Sequence, residues 1–306
     1  MSHIAVRKSL FNENTRRFRN FLRYDRKWLE EEGSQDSHGR SIWGLGKAVV
    51  LSHSDNIRGA ALDIFEKSVP TLLDLQSPRA WAFGLLGIHA YLRKYSGDSE
   101  VRRIRERLSD RLFKLYQENA SDDWPWIEDT LTYANGKISH ALILSGNWLS
   151  RRDMLNAGLR SLKWLVGIQT DPKGHFVPIG NNGWYSRGGE KARFDQQPVE
   201  ALAVIEACFE AYNITKETTW ISFAQRSFDW FLGQNDMNVP LYDPTSGGCC
   251  DGLGADGPNR NQGAESTLAW LLSLFHLYRL TNTQVFIEAS KKIEFESQRK
   301  EVTNVS

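Results

Sequence analysis

Apolar residues recur at helical spacing along nearly the whole chain, and the helices they predict are of two alternating kinds. Trp81, Leu85, Ile88, Leu92 and Tyr95 recur every three or four residues, as do Val101, Ile104, Leu108, Leu112 and Leu115. The same spacing runs through Leu155, Leu159, Leu162 and Leu165, then through Trp220, Ala224, Phe228 and Phe231. One kind of helix, at about 37–52, 78–95, 130–148, 196–213 and 262–280, is apolar nearly all round and rich in Gly and Ala. The other, at about 55–69, 99–119, 151–169, 216–233 and 282–298, carries a charged face. A helix apolar all round is buried on several sides, whereas one with a charged face lies outside. No stretch alternates long enough to demand a large sheet.

Strict inner–outer alternation predicts an all-α fold, an (α/α) toroid of helical hairpins set side by side, in a single domain over residues 1–306 with 299–306 as a disordered tail. Connections from inner to outer helices are short. Those at about 11–36, 120–129, 170–195 and 234–261 are long and aromatic, and long loops in a compact domain are usually functional. The run from Asp171 through Trp184 to Asp195 faintly parallels the run from Asn14 through Trp28 to Asp36, which suggests a hairpin repeat. About five full hairpins are legible. A six-hairpin ring needs one more, so the chain is expected to lack an N-terminal hairpin or to be closed by a partner.

Bulk properties narrow the function. The net charge is +1, and basic clusters such as Arg102–Arg107 are interrupted by acids, so neither nucleic acid nor an acidic membrane is an expected partner. The N-terminus lacks a signal-peptide core, no apolar run is long enough to span a bilayer, and three cysteines make no disulfide framework. A cytoplasmic location is expected. No Cys or His pair has metal-ligand spacing, so neither a metal nor a cofactor is expected. The chain carries 11 tryptophans, several in loops. A tryptophan face packs well on the C–H face of a pyranose.

Candidate chemistry gathers in five polar turns, each just before an inner helix. Asp36, Asp129 and Asp195 fall at or before helix starts, where an aspartate serves equally as an N-cap. Glycosidic cleavage needs two carboxyl groups, about 6.5–9.5 Å apart for inversion or about 5–5.5 Å for retention. Asp129 and Asp195 are the expected acid/base pair, with Glu128 as substitute. Asp36, Asp251, Gln262 and Glu265 would orient water or hydroxyls, joined by His38, Arg40, His175, Gln196 and Gln197. Trp124, Trp126 and Trp184 would stack on sugar rings. His38 and His175, read as rim-loop residues, suit proton transfer near neutrality.

These motifs resemble the six-hairpin (α/α)6-toroid glycosidase superfamily. They are similar in particular to a bacterial toroid group often labelled glycosyltransferase or mannosyltransferase by association. The residues carrying the resemblance are Asp36–Arg40, Arg79–Phe83, Trp124–Tyr133, Gly174–Phe176, Gly183–Tyr185, Phe194–Glu200, Gly247–Asp251 and Asn261–Thr267, within about residues 11–280. The resemblance implies a glycoside hydrolase-like enzyme acting on a short oligosaccharide, with mannose among the candidate sugars. A sugar epimerase or isomerase on the same fold is the first alternative. A non-catalytic glycan-binding toroid, partnered by a glycosyltransferase or by further copies of itself, is the second. Glycosyltransfer by this chain itself is disfavoured, because no phosphate-binding glycine loop follows a strand.

Overall fold

The computed structural model describes residues 10–280, and these divide into two compact units. The first comprises residues 10–167 with Ser186–Glu190, the second Ile168–Tyr185 with residues 191–280. The chain is mostly helical, as the periodicity predicts. The expected outer helix at 282–298 and the expected tail at 299–306 lie outside the described residues.

In the first unit, α1 (Gln35–Leu51) is followed by α2 (Asp55–Ser68), a 3-10 turn (Val69–Asp74), α3 (Pro78–Leu92), α4 (Ser99–Asn119), α5 (Asn135–Trp148) and α6 (Arg152–Ile168). Side-chain caps set several starts: Ser34 accepts from the Ser37 N–H, Ser77 from the Ala80 N–H and Asp98 from the Val101 N–H. Pro78 occupies the first turn of α3, where its missing N–H costs nothing. Nearly every residue of α3 is buried, whereas α4 buries a stripe of Val101, Ile104, Leu108 and Leu112 and exposes charges elsewhere. This is the inner and outer distinction read from the pattern.

The inner helices α1 and α3 approach backbone to backbone. A Cβ on Gly46 would lie 2.1 Å from the Gly87 carbonyl oxygen, and one on Gly87 would lie 2.4 Å from that of Ile42. Only glycine permits this contact, and nearer the N-terminal ends of the two helices a Cβ on Gly39 would likewise lie 2.6 Å from the Ala80 carbonyl oxygen. Gln35 secures the N-terminal end, its Oε1 accepting the N–H groups of Gln76 and Ser77 at 2.7 Å each.

Helix α5 begins later than its apolar pattern suggests. Ala134 takes a left-handed conformation at φ 50°, so residues 130–134 form an extended segment and a turn before the helix. Asn135 braces that turn: its side chain accepts the Thr132 N–H at 3.2 Å and donates to the Thr132 carbonyl at 2.7 Å.

The second unit contains α7 (Pro198–Thr215), α8 (Thr219–Asp229) and α9 (264–280), with a small ribbon pairing Gly252–Gly254 with Gly257–Asn259. Helix α7 is buried along most of its length and packs on α8. Among the described residues, no helix is long and apolar enough to cross a membrane.

Candidate functional site

Three inner helices of the first unit contribute to one polar cluster around Tyr133. Arg79, in the first turn of α3, is buried and satisfied on every side. Its Nε donates to the Tyr133 carbonyl at 2.7 Å, Nη1 to Glu128 Oε2 at 2.7 Å, and Nη2 to Asn135 Oδ1 at 3.1 Å. Its guanidinium carbon also lies 5.3 Å from the centre of the Tyr133 ring. Arg40, from α1, lies 5.9 Å from that ring and 4.6 Å from the Phe83 ring, and its Nε donates to Asp36 Oδ2 at 2.6 Å. Both cations therefore approach the aromatic ring of one tyrosine, and each holds one carboxylate.

Two electrostatic features mark the cluster. Burial, then the nearby Asp36 carboxylate, pushes the Tyr133 phenol up to about 12. The Tyr133 hydroxyl is hydrogen-bonded to the Asp36 carboxylate, whose Oδ1 is buried. Lys137 of α5 is also buried, its Nζ 4.0 Å from the Trp43 ring centre. Burial drives its pKa well below the ordinary lysine value, and Arg40 and Lys47 add to the effect.

The tertiary structure sorts the first unit's predicted residues. None of the aspartates at issue is an N-cap. Ser34 caps α1, placing Asp36 within the first turn, and Asp129 lies before the Thr130–Leu131 strand, well ahead of α5. Glu128 is the carboxylate held in place. Its neighbour Asp129 is largely exposed, with Arg187 3.9 Å away. Trp124 and Trp126 are buried, so their faces pack on protein rather than on a ring in solvent. Trp124 stands edge-on to Trp164 at 4.9 Å, and its Nε1 donates to the Glu128 carbonyl at 2.8 Å, fixing the backbone that carries Glu128.

His38 is not on a rim loop. It is fully buried in α1, 5.4 Å from the Phe18 ring, with Nε2 2.9 Å from Thr71 Oγ1. The Thr71 hydroxyl donates to the Ser68 carbonyl at 2.9 Å, so it accepts from His38. Burial, aided by Arg17, lowers the His38 pKa to about 3 and keeps the ring neutral.

In the second unit, His175 belongs to a tight polar hub. Its Nε2 is 2.8 Å from Asp236 Oδ1, and its Nδ1 is 4.0 Å from Asp171. Arg193 bonds both carboxylates, and Gln196 Nε2 donates to Asp236 Oδ2 at 2.7 Å. Burial opposes ionisation of Asp236, but the bonds from His175, Arg193 and Gln196 outweigh it and hold its pKa below the usual range. The hub forms one wall of a cleft of about 460 Å³, also lined by Lys173, Phe194 and Asn238. Asp171, His175 and Asp236 could offer three metal-ligand atoms within 4.8 Å of one another. The Arg193 guanidinium already supplies positive charge there. Sequence spacing misses the grouping because Asp236 lies 61 residues beyond His175.

The remaining predicted residues of this unit play varied parts. Gln196 is a brace: Oε1 accepts from Trp230 Nε1 at 2.7 Å, and Nε2 donates to Asp236 and to the Arg193 carbonyl. Gln197 stands at the start of α7, and Asp195 is exposed two residues ahead of it. Trp184 is half-buried at φ 58° in the loop before α7. Asp251 ties down the start of α9, accepting from Asn261 and from the Gly263 N–H at 2.7 Å. Gln262 links Ser246 and Asp243 at 2.7 and 3.0 Å, while Glu265 is exposed on α9. Arg79, Tyr133 and Lys137 are not among the sequence-predicted site residues. Arg79 and Tyr133 enter the sequence reading only within the motifs that carry the resemblance, and the signal at Lys137 is a charge inside an otherwise apolar inner helix.

No protein-family model matches the chain, and no curated protein matches it in sequence. Solved structures do match in fold. A sugar epimerase from a ruminal bacterium superposes with a TM-score of 0.67 at 11% identity, covering 95% of this chain and 82% of its own. A D-mannose isomerase gives 0.61 at 15% identity, covering 94% and 84%. A family GH76A α-1,6-mannanase from Salegentibacter sp. HEL1_6 gives 0.59 at 9% identity, covering 90% and 97%. The chain therefore has the fold of the six-hairpin (α/α)6 toroid proteins, a class that includes both glycosidases and sugar epimerases. At these identities the likeness defines the fold and leaves the reaction to the site.

Proposed function

We propose that the protein is carbohydrate-active and acts as a glycoside hydrolase-like enzyme on a short oligosaccharide bound at the Tyr133 cluster. The observation that carries this reading is the pair of half-buried carboxylates, Asp36 and Glu128, each held by its own arginine beside the Tyr133 ring. Arg40 and Arg79 supply N–H groups and hold the carboxylates in fixed orientation, as precise acid/base work requires. Glu128 replaces Asp129 as the first unit's preferred catalytic carboxylate, because Arg79 and the Trp124 brace fix it. Asp195, exposed just ahead of α7, remains a candidate carboxylate of the second unit by itself. The three cysteines are free and buried, which fits a reducing compartment such as the cytoplasm.

A second reading, sugar epimerisation or isomerisation, is favoured by one observation. His175 is oriented by the buried Asp236, and a carboxylate–imidazole pair on a cleft wall suits proton transfer at carbon. Incubating the protein with a panel of mono- and oligosaccharides in D2O, read by mass, separates the two. Chain shortening without deuterium at carbon supports hydrolysis, and it should vanish in Glu128→Gln. Deuterium at a sugar carbon in an unshortened product, lost in His175→Gln, would replace hydrolysis with isomerisation. Saturable binding without turnover would make the site a glycan receptor.

A further inference from the structure

The charged run Arg102–Arg107 on α4 has one member that turns away from solvent. Arg105 is 6% exposed, whereas Arg102, Arg103 and Glu106 beside it are exposed. Arginine is almost never buried unless it is paired. Among the described residues Arg105 forms no ion pair, and its Nε is buried without a hydrogen-bond partner. It meets the ring of Trp148, the last residue of α5, with its guanidinium carbon 6.0 Å from the ring centre. Trp148 itself is 42% exposed. Burial lowers the Arg105 pKa, and the nearby Glu106 charge acts against this. The guanidinium nonetheless stays charged at any ordinary pH.

His89 of α3 stands against the same tryptophan, with ring centres 6.1 Å apart. It is buried, and its Nε2 lies 3.2 Å from Ser145 Oγ. Among the described residues that imidazole is the partner of the buried Ser145 hydroxyl, so the hydroxyl donates to Nε2 and the ring hydrogen sits on Nδ1. Nδ1 is buried without a partner. One cluster therefore holds a guanidinium without a carboxylate and two buried N–H donors without acceptors. Buried polar groups are nearly always satisfied, so this cluster is short of negative charge and of acceptors. His89 and Ser145 lie ten residues beyond Arg79 and Asn135 on α3 and α5, about 15 Å along each helix. The cluster thus sits at the opposite ends of these helices from the Tyr133 site.

We propose that Arg105, His89 and Trp148 form a second binding site, which takes the oxyanion of an acidic monosaccharide. The oxyanion, a carboxylate or a phosphate, accepts from the Arg105 guanidinium in a charge-assisted pair. The apolar face of the sugar ring lies on the exposed face of Trp148. This site does not rest on the hydrolytic reading, since no residue of the Tyr133 cluster or the His175 hub takes part.

Isothermal titration calorimetry of the full chain with glucuronate, glucose 6-phosphate, inorganic phosphate and glucose tests it. One or both acidic sugars should bind with a dissociation constant of about 1 mM or tighter, and glucose about tenfold more weakly or worse. The tighter of the two acidic sugars identifies the anion as carboxylate or phosphate. Arg105→Met should weaken that sugar about tenfold or more. The same change should leave the melting temperature of the unliganded protein equal or higher, because it removes a buried charge that lacks a partner. Trp148→Ala, at an exposed ring, should weaken the acidic sugar several-fold while leaving inorganic phosphate unchanged, and it keeps the test open should Arg105→Met fail to fold. The proposal is overturned if neither acidic sugar binds, if glucose or inorganic phosphate binds as tightly, or if affinity is unchanged in either variant. Affinity lost in Glu128→Gln but kept in Arg105→Met would overturn it too, by placing the sugar at the Tyr133 cluster.

Discussion

Arg79 Nη1 lies 2.7 Å from Glu128 Oε2, and the same guanidinium bonds the Tyr133 carbonyl and the Asn135 side chain. One residue at the start of α3 thereby positions a carboxylate, the backbone beneath the tyrosine, and the first residue of α5. The pair is an organising contact as well as an ionic one.

Replacing Arg79 should therefore affect stability and site together. Arg79→Met removes the arginine's donors to Glu128 and the Tyr133 carbonyl and one of two donors to Asn135 Oδ1, in a largely buried setting. A loss of about 2–4 kcal/mol is expected, at the lower end for a broken buried pair because Glu128 is partly exposed. Urea unfolding of the two proteins measures it. Arg79→Lys keeps the charge but not the three-way fork, and should recover less than half of the loss.

Glu128 and Asp129 should behave differently despite being neighbours. Glu128→Gln is expected to reduce turnover of any cleaved oligosaccharide at least 100-fold, the usual scale for loss of an acid/base group. Asp129→Asn should change it less than about threefold, since Asp129 points to solvent with only a distant arginine. Equal losses in the two variants would move the chemistry away from the Arg79-held carboxylate.

The close approach of α1 and α3 makes a packing prediction. Gly46→Ala places a methyl group 2.1 Å from a backbone oxygen, which the main chain must move to admit. The expected cost is about 1–3 kcal/mol or more. Gly59→Ala, on α2 with open space around it, should be neutral or slightly stabilising. Thermal melts of the two variants give the comparison directly.

Two buried histidines set an acid limit. Burial first, with Arg17 and Arg105 respectively adding to it, lowers His38 and His89 to about 3. The unfolded chain takes up these protons near pH 6.5, while the folded chain does not until about pH 3. Their contribution is therefore fully present above pH 6.5 and is lost as the pH falls toward 3. Each histidine should cost about 1.4 kcal/mol per pH unit inside that window. Unfolding free energies at pH 7, 5.5 and 4.5 should fall less steeply in His38→Gln combined with His89→Gln. An unchanged slope would show that other groups dominate acid unfolding.

Among the described residues, the periodicity of the chain was sufficient for its helices. The predicted inner stretch at 78–95 corresponds to α3 at Pro78–Leu92, and the outer stretch at 99–119 coincides with α4 at Ser99–Asn119. Local turns were harder to read. The apolar pattern puts the start of α5 at about 130, whereas the helix begins at Asn135, because a left-handed Ala134 leaves no mark in composition. Ser34, rather than Asp36, caps α1, and that shift carries His38 from an expected loop into the core.

What the sequence alone determined was the all-α class, the alternation of buried and charged helices, and the concentration of polar motifs at helix starts. These follow from local spacing, which a linear pattern records directly. Which carboxylate is held, which tryptophan is a brace and which histidine is buried were decided only by tertiary structure. Glu128 depends on Arg79, 49 positions away, and His175 on Asp236, 61 positions away. Such pairs arise from packed elements that are distant along the chain, and no spacing rule within a segment encodes them.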